Sequence, residues 1–342
     1  MTIDLTRRAF GVSAAATALA APFIRNAHAA EPIELRCSLD TEPTHARNMG
    51  FRDFLAKVEV ASDGQIKTRL FESGTLFPDL QVVKALVQGQ VEMACPGTWT
   101  LTGFVPDADF SQLPAFYGRP LDVVHKATDG AAGKFINAAL TSKLHLDVLG
   151  GWLDNGYNNW YSTKKPLNAL ADLSGMKLRS PGGVINSWRI RFMGGIPNVT
   201  AWPDVPLAMS QGTFDGLITT NTSAFSSKLY DSGLRHSLQD QQGMAIYVPL
   251  VNQAFLAKLG PKLQETLQTV WADNIGAYRA HAAKLQADAR TTLTKQGVTF
   301  VDVPMAELDA TRAKMLTQQN DLVASAHMSP ELVKLVMADV GA

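Results

Sequence analysis

A regular alternation of short apolar segments and amphipathic helices is the strongest constraint on how this chain folds. Residues 33–95 predict strand, helix, strand, helix and strand, and Val83, Leu86 and Val87 form the apolar stripe of the second helix. The predicted elements are a strand at 33–39, a helix around 51–58 that ends at Ser62-Asp63-Gly64, a strand at 65–71, a helix at 80–88 and a strand at 91–95. Short connections between such elements are typical of an open α/β sheet with parallel strands.

The same alternation restarts in the second half of the chain. The predicted elements there are strands at 146–150 and 176–179, a helix at 185–193, a strand at 199–202, a helix at 205–211 and a strand at 214–219. Two α/β units in one chain predict an α/β protein with two lobes.

A long helix is predicted near the end of the chain. Residues 261–296 carry apolar side chains at steps mostly of three and four, with Gly276 as the weak point. Such a helix is roughly 50 Å long at 1.5 Å per residue, more than one small lobe, so we expect it to span both lobes. The expected division is 30–152 plus about 241–275 for lobe I, and 153–240 plus about 276–342 for lobe II.

The first 29 residues have the pattern of an export signal. The paired Arg7-Arg8 precede a weakly apolar run at 10–23, and Ala27-His28-Ala29 fits the small-x-small pattern of a signal peptidase site. A transmembrane anchor is the alternative, but the run is shorter than the ~20 apolar residues of a span, and Pro22 interrupts it. We therefore predict a twin-arginine signal peptide over 1–29 and a periplasmic protein.

The balance of charge argues against several classes of partner. Removing 1–29 takes away three of the 31 basic and one of the 31 acidic side chains, which leaves a net charge of about −2 without any block of like charge. Binding to nucleic acid or to an anionic membrane surface is therefore not expected. No later segment is long and apolar enough to span a bilayer, so the mature protein is not expected to be membrane-spanning.

Cysteine and histidine spacing provides no cofactor site. Cys37 and Cys95 each lie in an apolar strand, and small buried cysteines are common, so two buried thiols are favoured over a disulfide. The sequence has no His-x-x-x-His or Cys-x-x-Cys spacing, no Gly-x-Ser-x-Gly, no His-Glu-x-x-His and no P-loop. We expect no metal, no cofactor and no catalytic residue.

Residues that directly follow strands are the candidates for a binding site, because ligands of open α/β sheets lie beyond the carboxyl ends of the strands. In this chain they are aromatic rings, amides and one arginine, with no pair of carboxylates and no nucleophile beside a histidine. Such a lining suits holding an organic anion better than transforming it. The candidates are Thr98, Trp99, Trp152, Asn155, Arg179, Trp202, Thr220 and Asn221.

Arg179 is the strongest of these candidates, because a guanidinium can hold a carboxylate with two parallel charge-assisted hydrogen bonds. The alternative is an arginine at a strand end that pairs with a local acid. Each tryptophan has an alternative place in the core, and Asn221 has one as a turn residue. Arg189 and Arg191, in the following helix, are expected on a solvated face.

Several segments resemble the solute-binding proteins of tripartite ATP-independent periplasmic (TRAP) transporters, and together they extend over essentially the whole mature chain. The most specific is Lys-Leu-Arg at 177–179, followed by Gln-Gly-x-x-Asp-Gly at 211–216. The others lie at 61–66, 71–76, 85–93, 172–176, 193–197, 202–203 and 227–230.

The resemblance implies a two-lobed periplasmic binding protein fold with a long helix that spans both lobes. It also implies that the lobes close on a small carboxylate, which is delivered to the TRAP membrane permease subunits. In that family the arginine of the Lys-x-Arg motif binds the ligand carboxylate, and it corresponds to Arg179. The family often has an asparagine just after Asp-Gly, whereas Asn221 is displaced from that position.

The resemblance also bears on the ligand. Many members have a second arginine in a segment that reads Gly-Tyr-Asn-Asn at 156–159 here. The loss of that charge argues against a strict dicarboxylate, and for a monocarboxylate with hydroxyl or aromatic character. Asn158 and Phe77 complete the set of predicted ligand-binding residues.

Two other functions stay open at this point. A twin-arginine signal also suits a periplasmic enzyme that is exported folded with its cofactor, and Asp154 and Asp215 lie near the predicted cleft. A ligand-sensing lobe for a membrane kinase would use the same pocket.

Overall fold

Two mixed β-sheets organise the protein in a computed structural model that describes residues 31–341. The predicted signal peptide at 1–29 lies outside the described residues. The strands are β1 (Ile33–Ser38), β2 (Ile66–Phe71), β3 (Met93–Ala94), β4 (Leu146–Val148), β5 (Leu153–Ser162), β6 (Lys177–Ser180), β7 (Ile196–Val199), β8 (Gly216–Thr219), β9 (His236–Tyr247), β10 (Leu250–Asn252) and β11 (Thr299–Asp302). The α-helices are α1 (Ala46–Ala61), α2 (Asp79–Val87), α3 (Thr98–Leu101), α4 (Leu121–Thr128), α5 (Ala131–Leu144), α6 (Val184–Phe192), α7 (Val205–Ser210), α8 (Asn221–Ser226), α9 (Gln253–Lys295), α10 (Met305–Leu316), α11 (Gln319–Ser325) and α12 (Pro330–Val340).

The first sheet has the order β2-β1-β3-β10-β4. Strand β1 runs parallel to β2 and β3, as the strand-helix-strand pattern predicts. Strand β10 is inserted from a distant part of the chain and runs antiparallel to both β3 and β4, so the expectation of an all-parallel sheet is wrong. One face of this sheet shares a core in which Phe51 and Phe54 of α1 pack on Trp271 of α9, at ring distances of 5.3 and 5.2 Å.

The second sheet has the order β11-β9-β5-β8-β6-β7. Strand β6 runs parallel to β7 and β8, whereas β5 pairs antiparallel with β8 and β9. Strands β5 and β9 have no counterpart among the predicted elements. They are buried over almost their whole length although they carry many amide and carboxyl side chains, so they lack the apolar pattern that marks a buried strand.

The long helix is present and contacts elements of both sheets: α1 on one side, and α8 and β5 on the other. Its one non-helical residue is Gly260, at φ 70° and ψ 166°, and not Gly276. Pro261 follows directly, and proline is well suited to the first turn of a helix, where its missing N–H has no partner to lose. The straight segment therefore starts at Pro261, as the spacing predicts.

The two cysteines are free and buried, which confirms the prediction of two thiols. Cys37 is in register with Met93 rather than with Cys95. Burial raises the pKa of both thiols. Within residues 31–341, no helix is long and apolar enough to cross a membrane.

Candidate functional site

A narrow cavity lies where elements of the two sheets meet. Its volume is about 20 Å³, little more than one water molecule occupies, so a small organic molecule enters only if the walls separate. It is lined by Asp40, Asp79, Trp99, Asn155, Asn158, Arg179, Pro181, Trp202, Ile218, Thr219, Ser223, Ala245 and Tyr247. These residues come from the ends of β1, β6 and β8, from β5 and β9, and from the short helices beside them.

Arg179 lies at the end of β6 and is only 2 % exposed. Its Nε donates to the Thr200 carbonyl at 3.0 Å and its Nη1 to the Ile218 carbonyl at 3.5 Å. The guanidinium carbon lies 5.3 Å from the centre of a ring of Trp202. These contacts fix the plane of the guanidinium, while Nη2 has no hydrogen-bond partner among the described residues. Burial lowers the pKa of Arg179 to about 10, which still leaves it protonated at neutral pH.

Four other predicted residues line the same cavity: Trp99, Asn155, Asn158 and Trp202. Three of them, all buried, have a side-chain nitrogen without a hydrogen-bond partner among the described residues, namely Nε1 of Trp99, Nδ2 of Asn158 and Nε1 of Trp202. Native proteins leave few buried polar atoms unpaired, because each one costs about 1–3 kcal/mol. Three unpaired donors that line the same cavity as a guanidinium can pair with the acceptor oxygens of a ligand.

Two predicted residues lie in packed surroundings outside this cavity. Trp152 is 1 % exposed, packs on Phe110 at a ring distance of 5.8 Å, and donates through Nε1 to Asn137 at 3.0 Å. Thr98 is fully buried and its hydroxyl donates to Asp109 at 2.7 Å. Both follow a strand in sequence, but their side chains turn into the core.

The remaining two predicted residues line other depressions. Phe77 lies in a surface groove with Leu80 and Phe104. Asn221 lines a separate cavity of about 300 Å³ on the α9 side of β5, where it accepts a hydrogen bond from the Tyr161 hydroxyl. Asn221 is the first residue of α8, and the cavity that it lines is bounded by residues of α9.

Arg189 is not on a solvated face, and that prediction is wrong. Its side chain is fully buried and donates to the backbone and the side chain of Gln112. Asp109 and Asp240, both fully buried, are the charges nearest to it, and burial raises the pKa of each of these carboxyls to about 7. Arg191 on the same helix is exposed, as expected.

Two carboxyls of the cavity are absent from the predicted set. Asp40 lies just beyond β1, where the rule for strand ends would have found it, and Asp79 is the first residue of α2. They are 7 % and 4 % exposed. Burial, reinforced by the nearby Asp40 and opposed by Arg179, raises the pKa of Asp79 to about 7.

Asp40 has an ion-pair partner within the protein. Arg47, which is 1 % exposed, forms an ion pair with it, donates to the Cys95 carbonyl at 2.8 Å, and lies 3.9 Å from the centre of the Tyr247 ring. Burial lowers the pKa of Arg47, and the Asp40 charge more than offsets this, so that it is raised. The pair therefore contributes no net charge to the cavity, which leaves Arg179 and Asp79 to set its charge.

A histidine and a serine meet at the edge of the cavity. His45 Nδ1 accepts from the Arg47 backbone N–H at 3.2 Å, so the ring proton is on Nε2, which lies 3.0 Å from the Ser223 oxygen and donates to it. Burial, and then the charge of Arg47, keeps the pKa of His45 well below its usual range. Ser223 also accepts from Asn155 at 3.2 Å. Within residues 31–341, no group of His, Cys, Asp and Glu has the arrangement of a metal site.

Comparisons with known proteins identify the family and the fold. The chain is 26 % identical over 324 residues to the C4-dicarboxylate-binding periplasmic protein DctP of Rhodobacter capsulatus, covering 94 % of this chain and 95 % of that one. The fold matches the sugar acid binding protein DctPAm of Advenella mimigardefordensis in complex with galactonate, with a TM-score of 0.84, 20 % identity, and coverage of 91 % and 98 %. It also matches a TRAP periplasmic solute binding protein of Ralstonia eutropha with bound (S)-2-acetolactate, with a TM-score of 0.82, 24 % identity, and coverage of 90 % and 98 %.

These matches confirm the predicted two-lobed α/β fold with its long helix. Residues 40–325 match the family described as bacterial extracellular solute-binding protein, family 7. That range includes every residue of the cavity. The chain therefore belongs to the DctP family of bacterial extracellular solute-binding proteins.

Proposed function

We propose that this protein captures a small organic acid in the cavity around Arg179 and delivers it to a TRAP-type membrane permease. The observation that carries the proposal is the combination of a buried, protonated arginine with three unpaired buried donors, on Trp99, Asn158 and Trp202. A carboxylate offers about four acceptor positions, which matches this donor set.

Arg179 supplies the charge that a buried carboxylate needs. Its Nε and Nη1 donate to neutral carbonyl oxygens, so no acidic partner within 4 Å neutralises it among the described residues. A ligand carboxylate is the missing counter-charge, and contacts at Nη2 would orient it. Removal of a buried partner of this kind costs about 2–5 kcal/mol, or roughly tens to thousands of fold in affinity.

Relatives and structural neighbours support the ligand class. The names of the proteins compared above give a C4-dicarboxylate, galactonate and (S)-2-acetolactate as their ligands, all of them carboxylates. Export signal and family together support a periplasmic location, with a TRAP permease as the partner.

We further propose that each sheet belongs to one lobe and that the ligand closes the lobes by bridging them. Arg179 comes from the second sheet, whereas Asp79 and Trp99 belong to helices beside the first. The C-terminal helix α12 shares a core with α4 and α5, so we assign it to lobe I, in contrast to the sequence-based boundary. Since ligand contacts from both walls exist only in the closed form, the ligand shifts the population towards it.

We infer no catalytic role for this site. The contact between His45 and Ser223 is the nearest approach to a nucleophile with a base, but the proton on Nε2 points towards the serine. Without a lone pair on Nε2, the ring cannot accept the serine proton. The buried Asp154 and the half-buried Asp215 are occupied as well, by His125 and by Lys164.

A thermal-shift screen of the purified protein against organic acids tests the proposed function. A ligand at about 100 times its dissociation constant stabilises the protein by about 2.7 kcal/mol. Arg179→Ala and Arg179→Lys are the test variants, and Arg191→Ala, at an exposed arginine on the adjacent helix, is the matched control. We expect acids of one class to shift the transition in the wild type and in Arg191→Ala, and not in Arg179→Ala. Equal binding by Arg179→Ala would refute the assignment.

A further inference from the structure

Among the described residues, the cavity holds one cation and one carboxyl without an ion-pair partner. With Asp40 paired to Arg47, the two groups that face a ligand are Arg179 and Asp79, and both are almost completely buried. Leu80 N–H donates to Oδ1 of Asp79 at 2.9 Å, and the backbone N–H of Trp202 also donates to this carboxyl, which leaves part of its acceptor capacity for a ligand. Asp79 has no cation within 4 Å among the described residues. Next to a bound anion, a carboxyl in this position holds a proton unless the ligand brings a hydrogen-bond donor to it.

The unpaired polar atoms of the cavity include more hydrogen-bond donors than acceptors. Donors predominate, on Trp99, Trp202 and Asn158, and they match the oxygens of a carboxylate. The unpaired acceptor is Oδ1 of Asn155, a residue whose Nδ2 already donates to Ser223 and Tyr247. This acceptor and the carboxyl of Asp79 would both be paired by a ligand that also carries a hydrogen-bond donor.

We propose that Asp79 is a specificity-determining residue that accepts a hydrogen bond from a hydroxyl or amine group which the ligand carries close to its carboxylate. The inference rests on the proposed carboxylate contact with Arg179. When Asp79 is ionised, the site then prefers 2-hydroxy or 2-amino acids over the corresponding 2-oxo acids, which bring acceptors only. It disfavours dicarboxylates, because a second carboxylate would face Asp79 in a cavity that excludes water.

The preference has a physical basis in unpaired groups. A binding site built to accept a hydrogen bond rejects the analogue that lacks the donor, because its own buried acceptor is then left unpaired. A like-charged pair at close range adds to this rejection for the dicarboxylate. Replacement of Asp79 by asparagine keeps the size, removes the charge and weakens the acceptor.

The test uses four probes of equal chain length: 2-hydroxybutanoate, 2-aminobutanoate, 2-oxobutanoate and succinate. Dissociation constants are measured by calorimetry at pH 8, where most of Asp79 is ionised in the free protein. The proteins are the wild type, Asp79→Asn and, as the control at an exposed position, Asp204→Asn. We expect the hydroxy or the amino acid to bind the wild type at least about tenfold more tightly than the oxo acid and succinate. Asp79→Asn should reduce this ratio to about one to threefold, mainly by improved binding of succinate. If the hydroxy acid binds more tightly than the amino acid, the donor is a hydroxyl group. The reverse order identifies an amine.

Two results would overturn the inference: an oxo acid or succinate that binds the wild type as tightly as the hydroxy and amino acids, or an unchanged ratio in Asp79→Asn. If none of these probes or other organic acids binds, the proposed function itself fails, which is a different outcome. If Asp79→Asn does not fold, the pH dependence of ligand affinity in the wild type tests the inference instead. Its ratio of hydroxy-acid to oxo-acid affinity should rise between pH 5.5 and 8.0, because an ionised carboxylate accepts the hydroxyl hydrogen bond more strongly. A ratio that is constant with pH then overturns it.

Discussion

The affinity for a simple monocarboxylate should fall about tenfold between pH 6 and pH 8. Burial raises the pKa of Asp79 to about 7, so the carboxyl is mostly protonated at pH 6 and mostly ionised at pH 8. A bound anion raises that pKa further, and binding therefore takes up a proton once Asp79 is ionised. Each pH unit above the pKa then costs about 1.4 kcal/mol, which gives the tenfold loss at pH 8.

Other titrating groups around Asp79 keep their charge over this range. The pKa of Arg179 is about 10, that of Arg47 is raised by Asp40, and burial raises the pKa of Tyr247. Burial and Arg47 hold the pKa of His45 well below its usual range, so it stays neutral. The loss of affinity is therefore assigned to Asp79.

Calorimetry with butanoate, which carries no donor for Asp79, at pH 6, 7 and 8 measures this effect, and the acid itself stays ionised throughout. In buffers of different ionisation enthalpy, the heat of binding at pH 8 reports the uptake of close to one proton. Asp79→Asn is the matched control and should give a flat profile. A wild-type affinity that is constant or rises between pH 6 and pH 8 would refute the reasoning.

Three further predictions concern other parts of the molecule. Trp202→Phe removes an unpaired donor of the cavity and should weaken binding by roughly 10- to 100-fold, whereas Trp152→Phe should leave the dissociation constant unchanged and lower stability by about 1–3 kcal/mol in urea unfolding. Arg189→Met leaves two buried carboxyls without a cation and should destabilise the protein by about 3–5 kcal/mol in the same assay at pH 8. Cys37 and Cys95 should react with a thiol reagent only after unfolding, because both are buried and free.

Apolar periodicity predicted the elements in which one face meets the core. The strand β1 and the helix α1 lie close to the predicted positions. Leu35 and Cys37 in β1, and Phe51 and Phe54 in α1, are fully buried, whereas the residues between them are not all buried, and this difference produces the apolar spacing. Packing of one face imposes that period, so a single sequence is enough to find it.

Strands β5 and β9 could not be found in this way. Asp154, Asn155, Asn158 and Asn159 are all buried in β5, as are several polar residues in β9. Buried strands read as apolar runs when side chains on both faces meet a hydrophobic core. Here the faces meet the ligand cavity and a hydrogen-bonded network instead, and the partners of that network are far apart in sequence.

Position after a strand identified Arg179, Trp99 and Trp202 as candidates, but not the direction of their side chains. Trp152 follows a strand equally well and lies in the core. The difference depends on which neighbour occupies the space, such as Phe110 beside Trp152, and that is decided by packing of distant segments. The position of Asp79 at the start of a helix is outside the rule altogether.

The buried polar atoms of the cavity connect these two observations. Each unpaired atom on Trp99, Asn155, Asn158 and Trp202 lowers the stability of the ligand-free closed form by about 1–3 kcal/mol. In the proposed closure of the lobes, a ligand that pairs them recovers this free energy only when both walls are in contact with it, so the same atoms would provide affinity and drive closure. Apolar periodicity and complete hydrogen bonding stabilise a fold, and neither is expected at such positions. A lining that was apolar or fully hydrogen-bonded would gain no hydrogen bonds from a ligand.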